Sequence, residues 1–337
     1  MLTTKTPTKK YAGAKMKTAE DLSMSHKHTL TKGKAAFLDH YSKLFPQLSI
    51  PELTAYLNTR NTPVLLISKV FEAKLIKLWQ ENRLTWMPLR WFPYALQWPP
   101  EIPVGETLPG FSEGWIYPLN KSSLLPVLWI NPRIGENILD AAAAPGGKTL
   151  SIANQIDLNK TLLIANDPSF PRFKRLRTAL KFFGYPDIPT WRFPAQAIAR
   201  NSEYTFDKIL LDAPCSSEKH VFNSKKHLKI WSPNRIKKLS ELQLSLIESL
   251  LPLLRSGGTL IYSTCALTPE ENERVIARIL EKHQSEIILK NPPDGLPASG
   301  FGLSGFGLTD SQTHQILRIN NNDFGFDPMF VAGLKKV

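Results

Sequence analysis

The sequence predicts an α/β fold: a mainly parallel sheet covered by helices on both faces, preceded by a smaller α+β domain. Two observations indicate this. Short apolar runs alternate with segments of helical periodicity from about Gly114 onward, which is the pattern of strands joined by crossover helices. The tail then adds two strand-like runs, at 315–319 and 329–334. These runs predict an antiparallel hairpin that closes the sheet.

The individual elements follow from apolar spacing and from proline positions. In the larger domain we predict strands at 137–140, 162–165, 208–211 and 258–262, and helices at 148–155, 173–183, 239–254 and 270–283. Before them, helical spacing covers 34–82 except for a strand at 62–68, and the segment 86–109 is rich in Pro and Trp and predicts an irregular connector. The predicted division is a basic disordered arm at 1–34, a small α+β domain with its connector at 35–108, and a larger domain at 109–337.

The charge balance of the chain is strongly basic. A formal net charge of +13 comes from 42 lysines and arginines against 29 acidic residues. Such an excess favours a polyanionic partner through electrostatic steering and counterion release, and nucleic acid is the natural candidate. A basic surface that serves only solubility is the alternative. No apolar run approaches the roughly 20 residues that a membrane helix needs, so we expect a soluble protein with no membrane partner.

A turn of small residues joins the first predicted strand to its helix between Asp140 and Thr149. Small residues let a ligand approach the backbone, and a helix N-terminus offers unpaired amides, so the turn predicts a binding site. Tight packing is the alternative. The Gly-Lys-Thr ending is typical of a P-loop, but the first glycine of that pattern would fall at Ala142. Asp167 ends the second strand about twenty residues later, where an acid can bind ribose hydroxyls or cap a helix.

Two cysteines occur in the chain, and each follows a strand-like apolar run. Cys215 lies in Asp-Ala-Pro-Cys-Ser, and Cys265 lies in Tyr-Ser-Thr-Cys. This pairing predicts thiol chemistry, because a thiolate adds readily to an electron-poor carbon at neutral pH. Buried packing residues and a disulfide are the alternatives.

The turn at 140–149 and the segments 206–216 and 257–273 resemble, in the same order, three motifs of the Nop/Sun (RsmB-like) family of RNA 5-methylcytosine methyltransferases. The cysteine turn is most similar to the short mitochondrial-type branch. The resemblance runs from about Asn61 to the C-terminus. It implies a Rossmann-like S-adenosylmethionine methyltransferase fold with a seven-stranded sheet, in which 109–337 is catalytic and the small domain contacts RNA.

The resemblance also implies a reaction: methylation of carbon 5 of cytosine in ribosomal or transfer RNA through a covalent cysteine–cytosine adduct. Cys265 would be the nucleophile and Cys215 would help to release the enzyme. Spacing alone leaves these roles open, since DNA cytosine methyltransferases attack with a Pro-Cys cysteine that resembles Cys215. Asp212 and Lys148 would hold the base and stabilise charge on its ring, or they could pair with each other. The residues implied to bind S-adenosylmethionine are Ala142, Ala143, Ala144, Pro145, Gly146, Gly147, Lys148, Asp167, Arg172 and Asp212.

Three segments differ from the family pattern, and this limits how far the family's site residues can be assigned to this chain. They are Ala141-Ala142 in place of a bulkier residue and a cysteine, Ile67-Ser68-Lys69 in place of Arg-Val-Asn, and Phe193-Pro194-Ala195 where an acid normally meets the adenine amino group. The last departure motivates a second hypothesis, a catalytically silent RNA-binding or ribosome-assembly factor with this fold. A DNA cytosine methyltransferase is a third. Lys219 and His220 could contact substrate phosphates or lie in a solvated turn.

For the protein's setting we expect a monomer in the cytoplasm, or in mitochondria if the source is eukaryotic, with no metal. Whether a delivery protein brings the RNA stays open.

Overall fold

The computed structural model describes residues 32–296, 302–319 and 325–337. The basic arm predicted at 1–34 therefore lies almost wholly outside the described residues. Within the described ranges, no helix combines the length and the apolar character that a membrane span requires.

The N-terminal elements are two helices followed by a small antiparallel sheet, in which a third helix separates the first two strands. They are α1 (Gly33–Leu44), α2 (Ile50–Asn58), β1 (Val64–Ile67), α3 (Glu72–Glu81), β2 (Ala95–Gln97) and β3 (Ile116–Leu119). The α2 helix begins at a capping box formed by Ser49 and Glu52. Strand β1 lies between β2 and β3 and is antiparallel to both. The third strand thus lies beyond the boundary that we predict at residue 108, and the division into domains stays a prediction.

The larger sheet contains the strands that position the site. They are β4 (Asn137–Asp140), β5 (Leu162–Asn166), β6 (Thr190–Trp191), β7 (Phe206–Asp212), β8 (Leu254–Thr264), β9 (Ile287–Lys290), β10 (Ile316–Ile319) and β11 (Met329–Lys336). The order is β10-β11-β8-β7-β4-β5-β6, and the run from β8 to β6 is parallel. This arrangement confirms the predicted fold.

The C-terminal hairpin is also confirmed, with one addition. Strand β11 is antiparallel to β8 and to β10, and its last residues, Gly333 to Lys336, pair with β9. The described part of the sheet therefore has eight strands where we predict seven. The extra strand is β9, which pairs with β11 beyond the end of β10.

Helices cover both faces of this sheet. The helices of this part of the chain are α4 (Leu125–Ile130), α5 (Gly147–Ala153), α6 (Phe170–Phe182), α7 (Ala195–Asn201), α8 (Glu218–Phe222), α9 (Lys225–Ile230), α10 (Pro233–Leu250), α11 (Glu273–Lys282) and α12 (Asp310–Thr313), and those that cover the sheet are α4 to α7, α10 and α11. Successive strand residues alternate between two cores. Ile138 packs with α4, α5 and α6 on one face, and Leu139 packs with α7, α10 and α11 on the other.

The first two helices, α1 and α2, pack against the region that follows the first cysteine, whereas α3 packs against the small sheet. Phe37 and Tyr41 of α1 form one buried cluster with Phe222, Trp231 and Leu267. This third core brings the beginning of the described chain against both cysteine loops.

Candidate active site

A cleft of about 820 Å³ opens at the carboxyl ends of β4, β5, β7 and β8, which is where open α/β sheets bind their ligands. Most of the site residues predicted from the sequence line it: Ala142, Ala144, Pro145, Lys148, Asp167, Arg172, Asp212, Cys215 and Cys265. Ala143, Gly146 and Gly147 belong to the same turn but are not among the lining residues.

The small-residue turn after β4 is tied to the neighbouring strands. The Ala141 amide donates to the Leu210 carbonyl and the Ala143 amide donates to the Asn166 carbonyl, both at 2.8 Å. Gly146 has a φ of 122°, a backbone conformation that side chains rarely adopt. Its own neighbourhood is also tight, since an added Cβ would lie 3.3 Å from Leu176. Glycine at this position therefore allows α6 to pack closely against the turn.

The two thiols meet across β7 and β8. Their sulfur atoms lie 3.3 Å apart and form no disulfide. The Ser217 hydroxyl lies 3.3 Å from the Cys215 Sγ and 3.2 Å from the Cys265 Sγ. Cys265 is exposed to the cleft, whereas Cys215 is partly buried. The convergence expected from neighbouring parallel strands is therefore present.

The environment separates the two thiols chemically. The hydrogen bond from Cys215 lowers the pKa of Cys265, and a second one from Ser217 reinforces this against the opposing effect of burial. The same hydrogen bond to Cys265, together with burial, raises the pKa of Cys215 well above its usual value. Cys265 is therefore the thiol that ionises first.

Lys148 and Asp212 form an ion pair beside the thiols. The Lys148 Nζ lies 2.6 Å from the Asp212 Oδ2, and the Ser263 hydroxyl donates to the other carboxylate oxygen at 2.8 Å. Burial acts to lower the pKa of Lys148, but attraction and the hydrogen bond from Asp212 outweigh it and the pKa is raised. The ammonium therefore stays charged. The sequence leaves open whether Lys148 and Asp212 hold the base or pair with each other, and in this structure they pair with each other.

Asp167 lies at the opposite end of the cleft. Its buried carboxylate accepts the Arg172 Nε at 3.0 Å and the Ser169 amide at 3.0 Å. Arg172 also donates to the Ala144 carbonyl, so this side chain joins the acid to the small-residue turn. Pro194 lines the cleft at the start of α7.

Two buried glutamates that are not among the site residues predicted from the sequence hold the cysteine loops together. Glu271, which follows Cys265, accepts the amide of Ser216 at 2.9 Å. Glu218, which follows Cys215, accepts the amide of Leu267 at 3.0 Å. Each loop thus supplies a carboxylate to the other, and we call this arrangement the glutamate clasp. Burial raises the pKa of both glutamates, that of Glu271 to about 7.

Further contacts support the clasp. Gln243 of α10 donates to Glu271 at 2.8 Å, and the Tyr41 hydroxyl of α1 donates to Glu218 at 2.7 Å. Behind it, Arg318 forms a fully buried ion pair with Glu273 at 2.8 Å. Arg318 also donates to the Leu267 carbonyl. Glutamates placed directly after each cysteine motif are the one sequence signal that points to this network.

Within the residues described, no group of three or more histidine, cysteine or acidic side chains is arranged to hold a metal ion.

Comparison with known proteins places these features in context. The family model described as 16S rRNA methyltransferase RsmB/F matches residues 127–335. Two curated relatives named ribosomal RNA small subunit methyltransferase F are similar to the chain. The one from Aeromonas salmonicida is 33% identical over 263 residues, which cover 77% of this chain and 52% of the relative. The one from Escherichia coli O157:H7 is 34% identical over 237 residues, which cover 70% and 47%. The chain therefore spans about half the length of these relatives.

Solved structures confirm the fold. NSun6 from Pyrococcus horikoshii with SFG has a TM-score of 0.72 at 20% identity, over 89% of this chain and 97% of that one. A methyltransferase homolog protein from Pyrococcus horikoshii has a TM-score of 0.71 at 25% identity, over 90% and 100%. Similarity to the RsmB-like group, inferred above from three motifs, is confirmed, while the mitochondrial-type branch stays a prediction.

Proposed function

Because this chain belongs to the 16S rRNA methyltransferase RsmB/F family, we propose that it methylates carbon 5 of a cytosine in RNA through a covalent cysteine adduct. Ribosomal RNA is the substrate that the relatives favour, and transfer RNA is the alternative. The single observation that supports the adduct is the pair of sulfur atoms 3.3 Å apart at the edge of the cleft. No simple packing role requires two thiols at this edge, one of them exposed.

Carbon 5 of cytosine is a poor nucleophile, so a thiolate must first activate the ring. In the proposed reaction the Cys265 sulfur bonds to carbon 6, and the electron pair of the ring double bond moves toward carbon 5. Lys148 and Asp212 lie beside the sulfur atoms and supply hydrogen bonds and charge for the polar edge of the base. Carbon 5 then takes the methyl group, which S-adenosylmethionine supplies as an electrophile.

Release requires that the proton leave carbon 5 and that the bond between sulfur and carbon 6 break. The proximity of Cys215 to Cys265 raises the Cys215 pKa. In the adduct the Cys265 sulfur is an uncharged thioether, so this effect is removed and Cys215 ionises more readily. Cys215 then takes the proton, the ring double bond forms again, and the Cys265 thiolate departs. The two cysteines thereby act in turn.

The cleft suits S-adenosylmethionine in size and in the groups that line it. Its volume of about 820 Å³ lies within the usual range of about 300–1,000 Å³ for small-molecule sites. Asp167 would accept the ribose hydroxyls, Arg172 would flank them, and the backbone from Ala142 to Lys148 would contact the methionine part. Beside the adenine end, Pro194 offers an apolar surface in place of the usual acid.

The assay is methyl transfer to in vitro transcribed small-subunit ribosomal RNA, read together with RNA–protein adducts that survive denaturation. We expect Cys265→Ala to lose both methylation and adduct. We expect Cys215→Ala to accumulate adduct, because attack continues while release is slow, and the double variant to form none. An adduct with Cys265→Ala but not with Cys215→Ala would reverse the assignment. Absence of methylation by the unaltered protein on ribosomal and transfer RNA would refute the proposed activity.

A catalytically silent RNA-binding factor is the second candidate, and the observation that favours it is Pro194 at the adenine end. Calorimetric titration with S-adenosylmethionine separates the two: a silent factor would bind RNA and give no heat with the cofactor. A DNA cytosine methyltransferase would need Cys215 as its nucleophile, which the raised pKa of that thiol disfavours. A monomeric state, the need for a delivery protein and the cytoplasmic location stay predictions.

A further inference from the structure

The segment after the first cysteine carries an unusual concentration of positive charge. Residues 218–238 contain seven lysines and arginines and a single acid, the buried Glu218. Six of the seven are exposed, and we call them the cysteine-side basic surface: Lys225, Lys226, Lys229, Arg235, Lys237 and Lys238. Among the described residues none of these six has an acidic partner, whereas Lys219 is paired with Asp327 at 2.6 Å.

The lysines of α9 have no packing role in the described structure. The helix has no buried residue, so its side chains do not build a core. Lys225, Lys226 and Lys229 are all exposed, and Ile230 beside them is 58% exposed. Holding like charges together without compensating acids costs stability. A polyanion that binds there would remove this repulsion.

This surface begins at the rim of the cleft. Lys219, His220 and Arg235 line the cleft together with Cys215 and Cys265. A chain lying over α9 and the start of α10 would therefore be next to the thiols, at the end of the cleft away from Asp167.

A second basic helix gives a useful comparison. In α6 the side chains of Lys174, Arg175 and Arg177 are exposed, and the helix contains no acid. However, α6 adjoins the end of the cleft formed by Asp167 and Arg172, where the cofactor is proposed to bind. Nucleotides that flank a base held at Cys265 would emerge at the opposite end.

We propose that the cysteine-side basic surface binds the phosphate backbone next to the target cytosine, so that α9 and the start of α10 are the main RNA-docking elements of the described chain. The proposal rests on the proposed function for the identity of the RNA. Its physical basis is counterion release, in which each phosphate neutralised by a lysine or arginine adds about 0.7–0.9 to the slope of log affinity against log salt.

The test compares two triple variants with the same change in net charge. The first is Lys225→Glu, Lys226→Glu, Lys229→Glu, and the matched control is Lys174→Glu, Arg175→Glu, Arg177→Glu. The probe is in vitro transcribed small-subunit ribosomal RNA, whose dissociation constant is measured at several salt concentrations. We expect the α9 variant to bind at least about 10-fold more weakly, and we expect the slope of log affinity against log salt to fall by about 2–3, as the loss of three phosphate contacts requires. We expect the α6 control to change affinity by less than about 3-fold.

Equal losses in the two variants would overturn the proposal, because the effect would then follow net charge alone. Titration with S-adenosylmethionine checks that the cleft is intact. The neutral variant Lys225→Gln, Lys226→Gln, Lys229→Gln provides a milder change if the charge reversal prevents folding. If the unaltered protein transfers no methyl group, the proposed function fails, while the contrast in RNA affinity between α9 and α6 still decides the docking surface.

Discussion

The contact between Tyr41 and Glu218 allows a quantitative test of how the N-terminal helix supports the cysteine loops. Both side chains are fully buried, and the hydroxyl donates to the carboxylate at 2.7 Å. Tyr41→Phe removes this donor and keeps the ring packed against Phe37 and Trp231. A hydrogen bond to a charged group contributes about 1.5–3 kcal/mol. Glu218 keeps two other donors, from Ser216 and Leu267, so we expect a loss of about 1.5–2 kcal/mol, near the low end of that range.

The assay is urea denaturation followed by tryptophan fluorescence. The midpoint should fall while the denaturant slope stays unchanged, because the surface exposed on unfolding is the same. The matched control is Tyr56→Phe, since the Tyr56 hydroxyl is buried and has no hydrogen-bond partner among the described residues. We expect the control not to lower the free energy of unfolding, because it removes a buried hydroxyl that donates to no partner.

The reasoning would be refuted if Tyr41→Phe cost no more stability than Tyr56→Phe. A second readout concerns the cysteine loops themselves. Glu218 holds the amide of Leu267, two residues after Cys265. Loosening Glu218 should therefore slow adduct formation in a Cys215→Ala background, and Tyr56→Phe should leave that rate unchanged.

Three further perturbations address charge in and around the cleft. Burial raises the pKa of Asp140 to about 7, so the folded protein holds a proton there that the unfolded chain releases above about pH 4. This contribution to stability is lost as the pH rises through 7, so the free energy of unfolding should fall between pH 4 and 7. Asp140→Asn should make that fall smaller. A variant whose free energy of unfolding falls as steeply with pH as that of the unaltered protein would contradict this. Arg318→Met leaves the Glu273 carboxylate buried without its cation and should lower the free energy of unfolding by about 3–5 kcal/mol, measured by chemical denaturation. A loss below about 1 kcal/mol would contradict the presence of a buried ion pair. Lys148→Met removes the cation beside Asp212 and should slow single-turnover methyl transfer about 10²–10³-fold, and a rate equal to that of the unaltered protein would exclude a role in the reaction.

Much of the larger domain could be predicted because its parallel strands are buried on both faces. The predicted strands at 137–140 and 208–211 lie within β4 and β7, whose central residues, 138–139 and 209–211, are apolar and fully buried. The elements missed are short or polar: β6 has two residues, and α9 buries none. The helix predicted from residue 239 begins at Pro233. There Ser232-Pro233 is an N-terminal helix signal that apolar spacing alone does not register.

The residues of the candidate site also fall into those that the sequence predicts and those that it does not. Residues inside contiguous motifs could be identified from the sequence, because each motif folds locally around one strand end. Contacts between separate segments could not. The clasp pairs Glu218 with Leu267 and Glu271 with Ser216, and Tyr41 reaches Glu218 from the far end of the chain. Such pairings depend on tertiary packing, and a single sequence carries no direct signal for them.

The closeness of the two sulfur atoms also makes the site sensitive to oxidation. At 3.3 Å they need to approach by only a little more than 1 Å to reach the bond length of about 2.05 Å in cystine. We therefore expect a mild oxidant to join the two thiols in a disulfide, which would inactivate both at once, and a reductant to restore both. A preparation handled in air without a reductant would therefore be inactive although the protein remains folded.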